Sequence, residues 1–193
     1  AAATMETRAP VELTAQQVHG VVEQEGGCIA WGGAVALSPV DDLLIRVERP
    51  LGLDSDGLLV ASILSKKASA GATHVLIDMP VGRTAKVRSP EAAAILAARL
   101  GEVARSLGMA LRVQMSDGAQ PVGRGIGPAL EAQDVLAVLQ NHGDAPDDLR
   151  QRALALAAGL LELAGKACRG GGLAMASAAL DSGAAWRKFQ AIC

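Results

Sequence analysis

The chain has 193 residues, enough for a substantial domain with its own core, and its net charge is −2 with no basic run, which gives nucleic-acid binding little electrostatic support. Half of the residues are hydrophobic but only 2% are aromatic, so the core is expected from Ala, Val, Leu and Ile, with Trp31, Trp186 and Phe189 as the large rings. The three cysteines, Cys28, Cys168 and Cys193, are widely spaced; they suit a reduced cytosolic compartment and form neither a disulfide framework nor a metal-ligand pattern.

The opening AAATMETRAP has no signal-peptide pattern, and no uncharged apolar run approaches the length of a membrane span. The chain starts without Met and in mid-pattern, as expected of a fragment. Thr14 is placed to cap a short helix carrying Val18, Val21 and Val22, and Gly26-Gly27 stops it. Residues 28–31, CIAW, are expected to form a buried strand. Residues 43–47 fit strand or helix, and Pro50 breaks either. Asp54-Ser55-Asp56-Gly57 opens a helix to about Ala70, Gly71 ends it, and residues 74–79 form a strand.

Ser89-Pro90-Glu91 starts a helix to about Leu107, with Ile95, Leu96, Leu100 and Val103 apolar. A strand follows over 109–115, then a glycine-rich loop over 116–127, and helices over 128–139 and 147–167. Two short helices near 173–180 and 184–192 end the chain. Strand–helix alternation predicts an α/β fold, with a mixed, largely parallel sheet flanked by helices.

The residues able to carry chemistry are few. Ser55, Ser62, Lys66 and Ser69 fall on one helical stripe, with Leu58, Ala61, Leu64 and Ala68 on another. The polar stripe is either a solvated face or an edge that presents a hydroxyl and an ammonium to one ligand. Asp54, at the mouth of this helix, is either a cap or an acid beside a substrate. Arg83 and Lys86 follow a strand, where an α/β sheet commonly binds ligands, and would suit an anion or an exposed loop. The loop GAQPVGRGIG, residues 118–127, could cradle phosphate at a helix N-terminus or simply be a tight connection; it is neither a dinucleotide fingerprint nor a Walker loop. His19, His74 and His142 have no ligand spacing.

The strings WGGAVALSPVDDLLIRVERPLGLDS, ASILSKKASAGATHVLIDMPVGRTAKV and DGAQPVGRGIGPALEAQDVL closely resemble the thymidine phosphorylase family, in the branch shared with AMP phosphorylases. The resemblance runs from about Thr4 to Ile192. It implies a pentosyltransferase that splits a nucleoside with phosphate, giving a pentose 1-phosphate and a free base. By the same resemblance, Asp54 matches a proton donor to the leaving base, Ser62 a base-binding serine and Lys86 a further substrate-binding lysine. Lys66 matches a base-contacting lysine, and Arg46 a base-contacting arginine once a one-residue gap is allowed.

The resemblance also implies phosphate as co-substrate with no cofactor or metal, a nucleoside or nucleotide as the partner, a cytoplasmic homodimer at full length and a place in pyrimidine nucleoside salvage. Residues 38–70 would belong to a small helical domain and 71–193 to a larger α/β domain. The family's phosphate-binding lysine, serines and glycine-rich segments match nothing here, so the chain alone is expected to be inactive, holding the base side of the site. AMP or another nucleoside monophosphate is the alternative substrate. A noncatalytic α/β ligand-binding module, with Asp54 only a cap and Lys66 only solvated, is the alternative class.

Overall fold

The structure is a computed structural model that describes residues 2–35, 38–51 and 55–193. Two parallel strands carry the fold's centre: β1 (His74–Val81) pairs with β2 (Ala110–Asp117), from His74 beside Ala110 to Val81 beside Asp117. The joining helix, α6 (Pro90–Ser106), supplies the crossover that parallel pairing requires. Val81 also makes an isolated parallel bridge to Val87, which closes a turn at the carboxyl end of β1. The architecture is α/β, a small parallel sheet flanked by helices.

Why α6 starts where it does is plain in its first residues. Ser89 Oγ accepts the Ala92 amide at 3.2 Å, and Pro90 occupies the position where a missing N–H costs nothing. Its buried face is Ala93, Leu96, Leu100 and Ala104, spaced by three and four. Of the apolar residues read from the sequence, Leu96 and Leu100 face inward while Ile95 and Val103 point outward, and two alanines take the remaining inner positions. Small side chains let the helix approach the strands closely.

Before the sheet come α4 (Pro39–Leu51) and α5 (Asp56–Ser69). Residues 43–47 are therefore helix, and Pro50 lies in the last turn, one residue before the helix ends. Ser55 caps α5, its Oγ accepting the Leu58 amide at 3.2 Å. Val60 and Leu64 turn inward and join Val75, Met79, Ala93, Leu96, Leu100, Ala104 and Met109 in one core. Of the apolar stripe read from the sequence only Leu64 is fully buried, while Ala61 and Ala68 are exposed.

The chain divides into two compact units, one comprising residues 36–120 with 162–166, which holds the elements above from α4 to β2. The other comprises residues 1–35, 121–161 and 167–193. It contains α1 (Ala2–Glu6), α2 (Ala15–Glu25), α3 (Gly32–Val35), α7 (Pro128–Leu139), most of α8 (Asp147–Leu163), α9 (Gly172–Asp181) and α10 (Ala184–Ile192). Thr14 and Gln17 form the capping box of α2, and Gly26, at φ 74°, ends it. Residues 28–31 are not a strand. Trp31 donates its amide to the Val11 carbonyl at 2.8 Å and its ring is half exposed. Four apolar residues without a neighbouring strand have no ladder to join.

Candidate functional site

Asp41 is the one charged side chain buried among the described residues, at 7% exposure. It lies in the first turn of α4, two residues after Pro39. A carboxylate removed from water needs compensating donors. α5 provides them from two residues one turn apart: Ser62 Oγ donates to Asp41 Oδ2 at 3.1 Å, and Lys66 Nζ sits 2.7 Å from the same oxygen. Ser38 Oγ, just before α4, donates to Ser65 Oγ at 3.2 Å, a second tie between the same two segments.

Burial by itself would raise the Asp41 carboxyl. The hydrogen bonds from Lys66 and Ser62, with the Lys66 charge, outweigh it and hold the group below its ordinary value. Asp41 is therefore an anion, and the pair it makes with Lys66 leaves the lysine side chain 39% exposed. Ser62 and Lys66, which the sequence left as either a wet face or a ligand edge, converge on one atom.

Among the described residues, the expected site residues that bond Asp41 are Ser62 and Lys66. Arg46 is exposed on α4. Lys86 is exposed in the tight turn after β1, where Gly82 donates to the Val87 carbonyl at 3.0 Å and Ala85 to the Gly82 carbonyl at 3.0 Å. Asp54 lies outside the described residues. Its neighbour Asp56 pairs with Arg99 at 2.8 Å, with both side chains about half exposed.

Asp41 is the residue that sequence reasoning passed over. Ser38-Pro39 followed by an acidic residue is a helix-start signal, but the burial of Asp41 depends on α5, more than twenty positions later.

At the carboxyl ends of the strands the backbones meet. A Cβ on Gly82 would lie 2.7 Å from the Gly118 carbonyl carbon, closer than any side chain tolerates. Just inside, Ser116 Oγ on β2 donates to Asp78 Oδ1 on β1 at 2.6 Å.

The glycine-rich loop carries its own anions. Asp134 Oδ2 accepts the amides of Arg124 and Gly125, each at 2.7 Å, and Asp148 Oδ2 accepts that of Gly123 at 2.9 Å. The Gly123 amide, then that of Leu149 and, more weakly, that of Asp148 itself and the Arg124 charge, hold Asp148 below the usual carboxylate range against the opposing effect of desolvation. Arg124 reaches the Asp144 carbonyl. The Gly123, Arg124 and Gly125 amides, which a phosphate cradle in this loop would use, are bonded to carboxylates of the chain itself, as in a tight connection. Beside it lies a mainly apolar cavity of about 590 Å³, with Met5, Ile29, Val135, Leu136, Leu149 and Phe189 among its walls.

Among the described residues, no group of three or more His, Cys, Asp or Glu could hold a metal ion, and no helix is long and apolar enough to cross a membrane.

No family model matches the chain. Individual relatives do. The chain is 67% identical to a Polaromonas protein named "Putative thymidine phosphorylase", 64% to an Acidovorax protein named "Putative thymidine phosphorylase 1", and 63% to a Hahella chejuensis protein named "Putative thymidine phosphorylase". Each match covers 190 residues, 98% of this chain. The chain spans 37% of the length of the first two relatives and 38% of the third. At such identity along nearly all of its residues, the chain is homologous to a segment of these proteins.

Proposed function

We propose that this chain supplies the base-recognition side of a pentosyltransferase that splits a pyrimidine nucleoside with phosphate. The observation that carries this reading is the convergence of Ser62 and Lys66 on a single oxygen of Asp41. Two polar groups that can address one oxygen from adjacent turns can also address neighbouring polar atoms of one base. The name the relatives carry agrees with it.

In the reaction, a phosphate oxygen forms a bond to C1′ of the sugar as the bond from C1′ to the base nitrogen breaks. The base leaves with that electron pair, and the sugar passes through an oxocarbenium-like state. Polar contacts that strengthen as the base gains charge, and a proton delivered to it, lower the barrier. In this reading Ser62 and Lys66 hold the base, Asp54 delivers the proton, and Arg46 and Lys86 add substrate contacts. Phosphate is the co-substrate and no cofactor takes part. Phosphate contacts come from outside this chain, so the 193 residues alone do not turn over. At the length of the relatives the protein works as a homodimer.

The test is an assay of the protein at the length of its relatives, with phosphate and thymidine, uridine, AMP or CMP in turn. Release of free base from thymidine or uridine supports the reading. Preference for AMP makes the protein a nucleotide phosphorylase. No turnover with any of the four, from a folded protein, favours a binding module. An Asp54→Asn variant that keeps its fold and its turnover removes Asp54 from the mechanism.

A further inference from the structure

Building on that reading, we propose that Asp41 is a positioning residue that sets the hydrogen-bond polarity of the base-recognition edge, and so selects bases presenting an N–H beside a carbonyl. A serine hydroxyl has one hydrogen to give. An ionised carboxylate has none, so the bond between Ser62 Oγ and Asp41 Oδ2, 3.1 Å long, must use the serine's hydrogen. Toward any ligand Ser62 is then an acceptor through its remaining lone pair. Lys66 spends one of its three N–H groups on the same oxygen, at 2.7 Å, and remains a donor. One helical turn therefore presents an acceptor beside a donor.

The matching edge carries a donor beside an acceptor. Thymine and uracil have it: a ring N–H flanked by carbonyl oxygens. Cytosine offers a bare ring nitrogen to the Ser62 lone pair, a repulsive contact, and where Lys66 faces the C4 side it meets an amino group in place of a carbonyl. Adenine errs in the same way. Asp41 is buried and acts only through the two groups it holds. The Ser38–Ser65 bond ties α4 to α5 and keeps the carboxylate in register with them.

Asparagine at this position loses the charge that holds Lys66. Its amide can also turn its NH₂ toward Ser62, which reverses the hydroxyl. The experiment measures kcat/KM for thymidine, uridine and cytidine, with phosphate, in the protein at the length of its relatives and in its Asp41→Asn form. The unsubstituted protein is expected to favour thymidine or uridine over cytidine by about a hundredfold or more, since a site with fixed polar groups rejects mismatched partners strongly. In Asp41→Asn that ratio should fall by about tenfold or more, the size of one lost charge-assisted bond. A ratio of two substrates does not depend on the fraction of protein folded.

Should Asp41→Asn not fold at all, Ser62→Ala serves: it keeps the Asp41–Lys66 pair, removes the acceptor and should lower the ratio similarly. An unchanged ratio in the variant measured, with the unsubstituted protein favouring thymidine or uridine, overturns the role of Asp41 alone. Absence of phosphorolysis, or a preference for AMP, in the unsubstituted protein overturns the functional reading and this inference with it.

Discussion

Lys66 Nζ lies 2.7 Å from Asp41 Oδ2, a lysine on α5 held by a carboxylate on α4 that is almost wholly out of water. Because Asp41 titrates below its ordinary value of 3.8, its contribution to stability is complete above that value and is lost as the pH falls through the lower folded-state value. Asp41→Asn should therefore lower stability at pH 7 by about 1–2 kcal/mol, less than for a fully buried pair because Lys66 is partly solvated. Urea unfolding at pH 7 and again near pH 3 should show the difference between the two proteins shrinking. The exposed pair of Asp56 with Arg99 is the control, and Asp56→Asn should cost less than about 1 kcal/mol.

Among the described residues, Leu64 and Leu100 are the largest side chains with essentially no exposure. Each faces the same core from a different helix. Truncation to Ala should cost about 2–5 kcal/mol, through lost transfer energy and the cavity left behind. Denaturant midpoints of Leu64→Ala and Leu100→Ala check this. A loss below 1 kcal/mol at either position would mean that the core closes over the gap.

Gly82→Ala should be worse than Gly118→Ala. At Gly82 the new methyl would meet backbone at 2.7–2.9 Å, while at Gly118 the nearest atoms are the Ala85 methyl at 3.0 Å and Pro80 at 3.1 Å. Overpacking of this kind costs about 1–3 kcal/mol, with Gly82 expected at the upper end. Thermal melts of the two variants give the order.

Asp134→Ala removes the shared acceptor of the Arg124 and Gly125 amides. Hydrogen exchange at those two amides should accelerate, by about tenfold or more given the worth of a charge-assisted bond. Exchange at the Gly123 amide, which bonds Asp148, should change less.

Much of the fold could be read from the sequence because its signals are local. Thr14 with Gln17, Ser89 with Pro90, and Pro128 each mark a helix start within four residues, and β1 and β2 show as short apolar runs between glycines. The expected strand at 28–31 failed because a strand needs a neighbour, and an apolar run does not name one. The inner face of α6 was not legible for a related reason: Ala93 and Ala104 are buried by the closeness of the sheet rather than by their own hydrophobicity. At the candidate site, Ser62 and Lys66 were visible as a stripe. Asp41 was not, since a carboxylate's burial is a property of what folds over it.

The order of elements in the α5-to-β2 region has a kinetic consequence. Among the described residues, every member of the central core, from Val60 to Met109, comes from one uninterrupted stretch, so its contacts close loops no longer than that stretch. Short closures form early and fast. The Asp41 carboxylate joins from α4, outside that stretch, and can be neutralised by Lys66 only once α5 is in place. The core is therefore expected to assemble first and the polar cluster to lock onto it afterwards, so that substitutions at Asp41 should speed unfolding while leaving the folding rate nearly untouched.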